Sequence, residues 1–161
     1  MPTLPQLVEE DITEFTRALK DLLVKAEASV ALIIDKGGFL ITQCGEQVTF
    51  DTTTLAALSA GSFAATQTIA GIVSETNFTS VYQQGESYSL IVLNVDEYCL
   101  LAVVFKAHIS VGAVKYFAHG TVKEIAAQMQ KAQKRAPNAG LDLSMLNVAD
   151  TAPVFRKKKS A

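Results

Sequence analysis

Cysteine and histidine each occur only twice in 161 residues, and neither pair has the spacing of a metal site or a disulfide framework. Cys44 and Cys99 lie in apolar, strand-like surroundings and read as reduced, buried thiols. His108 and His119 follow the last strand-like segment without a Cys, Asp or Glu at ligand spacing, so no metal is expected. A basic surface is missing as well. Of 14 basic residues, Arg156, Lys157, Lys158 and Lys159 fall in the last six positions, and the other 10 face 16 acidic residues. Such a chain offers no footing for phosphate backbones, and nucleic acid is excluded as a partner. Long hydrophobic runs are absent too. The densest, Leu90 to Val95 and Leu100 to Phe105, fall well short of the ~18 apolar residues that read as a bilayer span. Membrane binding is therefore not expected, beyond weak surface contact through the basic end. Met1 to Glu10 carries acidic residues and prolines where a secretory leader has a basic and then an apolar stretch, which points to a cytoplasmic location. Catalytic signatures are equally scarce. Gly37-Gly38 lacks the Gly-x-x-x-x-Gly-Lys-Ser/Thr spacing that wraps phosphates, and no Gly-x-Ser-x-Gly elbow occurs. Glu9, Glu10 and Asp11 read as a solvated, dipole-complementing helix start rather than an acid/base pair. No cofactor and no active site belonging to this chain are expected.

What remains is apolar patterning. Hydrophobic residues make up 49% and charged residues 19%, enough for one packed domain with contact surface to spare. Thr3-Leu4-Pro5-Gln6 has the form of a capping box, predicting a helix from there to about Glu27, with Leu7, Val8, Ile12, Phe15, Leu19, Leu22, Leu23 and Ala26 on one stripe. Strands are predicted at Val30 to Asp35 and Phe39 to Cys44, joined by the Lys36-Gly37-Gly38 turn. Asp51 to Thr54 supplies oxygens to cap a second helix, from about Thr54 to Glu75. Phe78 to Gln84 suits an edge strand. Tyr88 to Val95 and Tyr98 to Lys106 are apolar on both faces, so helices must cover both sides of their sheet. Ser110 opens a last helix with Val114, Ala118, Val122, Ile125 and Met129 on its stripe, ending near Lys134-Arg135. The predicted order is α-β-β-α-β-β-β-α, an α/β sandwich of the α+β kind with a five-stranded antiparallel sheet between helices. The domain is assigned to residues 1–136, and 137–161 to a partly disordered tail.

The middle helix is unusual in composition. Ala56, Ala57, Ser59, Ala60, Gly61, Ser62, Ala64 and Ala65 are small and permit close approach of another backbone, whereas Leu55, Leu58, Phe63, Ile69, Ile72 and Val73 are available to its own sheet. Two readings stay open: a helix that pairs with its symmetry mate, or a good helix former packed closely within one subunit.

The segment Asp51-Thr-Thr-Thr-Leu-Ala-Ala-Leu-Ser-Ala-Gly-Ser-Phe-Ala-Ala, ending at Ala65, resembles bacterial MglB-like members of the roadblock/dynein light chain family. So do Val30-Ala-Leu-Ile-Ile-Asp-Lys-Gly-Gly and Ser110-Val-Gly, and the likeness extends over roughly residues 7 to 134. The resemblance implies a roadblock/profilin-like fold and a homodimer joined through the middle helix and the adjoining edge strand. It places Ala57, Gly61, Ala65, Val81 and Tyr82 at the dimer interface. It further implies that the paired helices dock an MglA-like Ras-family GTPase, by way of Ala60, Ala64, Gln67, Thr68 and Gly71. In that family the effect is faster hydrolysis and, in some members, exchange, obtained by reorganising the GTPase's own switch residues without an arginine finger. A non-regulatory roadblock scaffold is the alternative. A small hydrolase or redox protein is a third reading, and would use Cys44, Cys99 or His119. In the tail, Leu141, Leu143, Met145, Leu146 and Val148 suit a short amphipathic element. Arg156 to Lys159 read as a solvated end, or as an electrostatic contact to an acidic partner or anionic lipid.

Overall fold

The computed structural model describes residues 2–46 and 50–135. The tail, with its expected amphipathic element at 141–148 and its basic end at 156–159, lies outside the described residues. Three helices and five strands follow in the predicted order: α1 (Glu9–Ala26), β1 (Val30–Asp35), β2 (Leu40–Gly45), α2 (Thr52–Ile72), β3 (Ser80–Gln84), β4 (Tyr88–Asn94), β5 (Cys99–Lys106) and α3 (Val111–Lys134). The strands form one sheet in the order β2-β1-β5-β4-β3, antiparallel throughout. β1 and β5, in mid-sheet, are buried along nearly their whole length.

Because successive side chains of a strand point to opposite faces, the two apolar sets sort cleanly. Ala31, Ile33, Ile91, Leu93, Leu101, Val103 and Phe105 face α1 and α3, where Phe15, Leu19, Leu22, Val114, Ile125 and Met129 complete the larger core. Val30, Leu32, Ile34, Val92, Leu100, Ala102 and Val104 face α2, which contributes Ala56, Ala60 and Phe63. Two helices thus cover one face and a single helix the other. Five strands at ~4.8 Å spacing span about 19 Å, whereas a helix is about 10 Å across, so α2 alone cannot roof its side.

The predicted capping box at Thr3 to Gln6 is not the start of α1. The helix begins at Glu9, and the capping carboxylate is that of Asp11, which accepts the Val8 N–H at 2.8 Å. Leu4 and Leu7 instead pack against the larger core as an extended strap. Nor is Asp11 solvated. It is fully buried and also accepts hydrogen bonds from Gln128 Nε2 at 2.8 Å and from the Arg135 guanidinium at 2.8 and 3.0 Å. The fork of Arg135 holds the Asp11 carboxyl down at about 2, against the opposing effect of burial. This bidentate pair ties the end of α3 to the start of α1.

Candidate functional site

α2 is held at its N-terminus by Asp51, whose Oδ1 accepts the backbone N–H groups of Thr53 and Thr54 at 2.9 and 3.2 Å and whose Oδ2 accepts the Thr54 hydroxyl at 2.6 Å. The Thr54 hydroxyl is also the main reason that the Asp51 carboxyl lies below its ordinary pKa. Between Asp51 and Glu75 there is no charged side chain. One face, made of Ala56, Ser59, Ala60, Phe63 and Ala70, is buried on the sheet. The opposite face is exposed, yet it is as apolar as the buried one. Leu58 is 67% exposed, Ile69 51% and Ile72 78%, with Ala57, Gly61, Ala64, Ala65, Thr68 and Gly71 between them.

Close packing within the subunit does not account for all of the small residues. A methyl group added at Gly61 or Gly71 meets no atom beyond the helix within 4 Å, so packing inside the subunit does not require glycine at either position. The aliphatic residues also lie differently from expectation. Leu55 and Phe63 do pack on the sheet, but Leu58, Ile69, Ile72 and Val73 point away from it. Apart from Phe63, the buried seats on α2 are taken by small side chains, Ala56, Ser59, Ala60 and Ala70.

By length and hydropathy α2 satisfies the requirement for a bilayer span, contrary to the expectation that no segment would. Its apolarity has a local use, since one face forms a layer of the sandwich. An uncharged exposed face on such a helix is the signature of an interaction surface. The uncovered part of the sheet adjoins it. Between the first turns of α2 and the β3–β4 hairpin runs a groove of about 590 Å³ lined by Leu55, Leu58, Gln84, Tyr88, Leu90 and Val104. β3 itself is an edge strand that pairs only with β4 among the described residues, and it carries no charge or proline to discourage a further strand.

Of the residues expected to meet a GTPase, Ala64, Thr68 and Gly71 lie on the exposed face. Ala60 does not. It is buried against its own sheet, because its place on the helix is one turn from Ala56 and beside Phe63. Gln67 is half-buried and engaged at home, donating from Nε2 to the Phe78 carbonyl at 2.9 Å. Of the expected dimer residues, Ala57, Gly61 and Ala65 are exposed on α2, and Val81 packs at the margin of the core beneath it. Tyr82 follows the pleat to the other face, where its ring stacks on Phe105 with centroids 6.3 Å apart. Sequence reasoning assigns Leu58, Ile69 and Ile72 to the sheet and so does not foresee them on the exposed face. The signal for them is the missing charge between Asp51 and Glu75, which leaves α2 without a solvent-adapted face.

Among the described residues nothing comparable gathers chemical groups. Among the described residues no cluster of three or more His, Cys, Asp or Glu is placed to hold a metal. Cys99 is buried, and burial pushes its thiol well above the ordinary range, away from a nucleophile's. Cys44 is half-buried rather than buried, and His119 lies exposed on α3.

A five-stranded antiparallel sheet with two helices on one face and one on the other is the architecture of a regulatory or adaptor family rather than of a recognised enzyme class. The chain belongs to the Roadblock/LC7 domain family, whose model matches residues 15–105. Among solved structures it is similar to Myxococcus xanthus MglB, at 29% identity over 81% of this chain and 98% of that one, with a TM-score of 0.74. It is similar to an MglB described as having a tetrameric arrangement, at 28% identity over 82% and 98%, TM-score 0.75. It also resembles the gliding protein MglB of Thermus thermophilus, at 28% identity over 81% and 98%, TM-score 0.72. Curated proteins include no match to the chain.

Proposed function

We propose that two copies of this chain join through α2 and the β3 edge, and that the paired α2 helices form a platform for an MglA-type Ras-like GTPase whose GTP hydrolysis they accelerate. The observation that carries this reading is the exposed face of α2, apolar and uncharged over 21 residues. Left in water, Leu58, Ile69 and Ile72 forfeit much of the roughly 1.5–3 kcal/mol that burying an aliphatic side chain contributes. A second copy beside β3 extends the sheet, fills the groove next to α2, and brings the two helices together where Gly61 and Ala65 let their backbones approach. The likeness to MglB structures, one of them with a tetrameric arrangement, supports association.

With no catalytic group on the face, the chain acts on turnover by holding the GTPase's own switch segments in their hydrolytic arrangement. A cytoplasmic setting belongs to this reading, since a Ras-like GTPase works there and two unpaired cysteines are compatible with a reducing compartment. The test is single-turnover GTP hydrolysis by an MglA-type GTPase with and without this protein. Acceleration is the expected result. Stable binding of a partner with unchanged turnover would instead favour a scaffold, and absence of GTPase binding would reject the regulatory reading.

The small residues supply a separate test. Gly61→Ala removes a helix-interior glycine and is expected to stabilise the isolated subunit by about 1 kcal/mol, because the added methyl meets open space. The same methyl intrudes between two closely packed helices. Denaturant unfolding at high dilution and the dimer dissociation constant are therefore expected to move in opposite directions, the first toward stability and the second toward weaker association.

A further inference from the structure

α2 meets the rest of the fold almost without hydrogen bonds. The Asp51 cap and the hydroxyls of Thr66 and Thr68 bond only at its start or within it. Among the described residues a single bond leaves the helix: Gln67 Nε2 donates to the Phe78 carbonyl at 2.9 Å. Phe78 lies eleven residues further along the chain, in the 73–79 connection and just ahead of β3. The nitrogen is the atom that faces this carbonyl, because a flipped amide would set oxygen against oxygen. The other amide atom, Oε1, is buried with no partner among the described residues.

Packing specifies the placement of α2 only loosely. Of its buried residues Ala56, Ser59, Ala60 and Ala70 are small, and Phe63 alone brings a large side chain to the sheet. Ser59 Oγ is buried too, without a hydrogen-bond partner among the described residues. A smooth contact of this kind resists sliding along the helix axis less than interdigitated side chains do. The Gln67 bond spans the connection and fixes the helix against the strand that follows it.

That placement counts twice in the association proposed above. There α2 and the β3 edge of one copy meet the same two elements of the other around a two-fold axis. Pairing of the edges sets where the second α2 lies. A slip of α2 relative to β3 then occurs in both copies, and the mismatch between the helices is double the slip.

We infer that Gln67 is a positioning residue for self-association: its bond to the Phe78 carbonyl holds α2 where the exposed face of the helix and the β3 edge fit a second copy together. This rests on the reading that two copies join through those elements. The role is exerted through the Phe78 backbone, not by contact with a partner.

The test compares the dimer dissociation constant with the thermal midpoint of the dilute subunit. Gln67→Met keeps the length and helix preference of the side chain and removes the donor. Thr66→Val is the control, since Thr66 Oγ1 bonds only to the Ser62 carbonyl one turn back. Association of Gln67→Met is expected to weaken by about 10- to 30-fold, the worth of one hydrogen bond per subunit. Its midpoint is expected to stay within a few degrees of the wild type, because the buried, unpartnered Oε1 goes with the donor. Gln67→Glu at pH 8, which turns an acceptor on the carbonyl, is expected to weaken association at least as much, and Thr66→Val to leave it unchanged. An unchanged dissociation constant for Gln67→Met, with wild-type protein dimeric, would overturn this inference and leave the association reading standing. A fall in midpoint that accounts for the whole loss, or an equal loss in Thr66→Val, would overturn it as well, since either shows a merely structural effect. Wild-type protein that stays monomeric would remove both.

Discussion

Arginine in place of Ala64 is expected to abolish GTPase docking and the accompanying acceleration of hydrolysis, while the subunit stays folded. Ala64 lies on the exposed face of α2, and arginine is nearly as good a helix former as alanine, so the free protein has little reason to change. In the complex the guanidinium would have to be desolvated against a helix with no carboxylate to pair it, a penalty of several kcal/mol. A loss of about 3 kcal/mol already lowers affinity by more than ~100-fold. Titration calorimetry reads the affinity, and thermal unfolding monitored by circular dichroism reads the fold. Placing arginine at Ala60, four residues earlier, is expected to do the opposite: that site is sealed beneath the helix, and the subunit itself should unfold.

The second large effect concerns the tie between the two ends of the domain. Asp11→Ala leaves Arg135 and Gln128 without their shared acceptor and is expected to destabilise the fold by about 3 kcal/mol, the loss seen when one partner of a buried pair is removed. Acid should weaken the same tie. The Asp11 carboxyl titrates at about 2 in the folded chain against an ordinary 3.8, so the folded state favours its ionised form. That stabilisation is complete above pH ~4 and is lost as pH falls from there toward ~2, amounting to about 2 kcal/mol. Urea unfolding of the wild type should therefore show a larger acid-dependent loss across this window than Asp11→Ala, which keeps only the contribution of other depressed carboxyls such as Asp51.

How far these features can be read without coordinates depends on the range of the interaction behind them. The Asp51 cap is visible because donor and acceptor lie within three residues of one another. β1 and β5 are visible because strands covered on both faces need apolar residues at every position. Asp11 is misread as solvated because its partners stand 117 and 124 residues away, and three consecutive acids in a first turn ordinarily complement the helix dipole. The start of α1 is misplaced for a related reason: Leu4 and Leu7 continue the helical spacing but reach the core in extended form. On α2, periodicity gives little guidance, since apolar residues occupy both faces and only the sheet determines which is buried. Hence sequence alone turns Ala60 and Gln67 outward, and Leu58, Ile69, Ile72 and Val73 inward. Tyr82 is placed by its strand alone, without the pleat that turns it toward Phe105.

If the bare face of α2 exists to be covered by a second copy of the chain, the solution mass must show it. The most direct test is sedimentation equilibrium from tens of micromolar down to about 1 µM, a concentration at which a stable interface of standard size stays associated. A species of twice the 17.2 kDa chain mass is expected, persisting on dilution in the wild type and dissociating when Gly61 is replaced by a bulkier residue. A wild-type protein sedimenting at the mass of one chain throughout that range would contradict it.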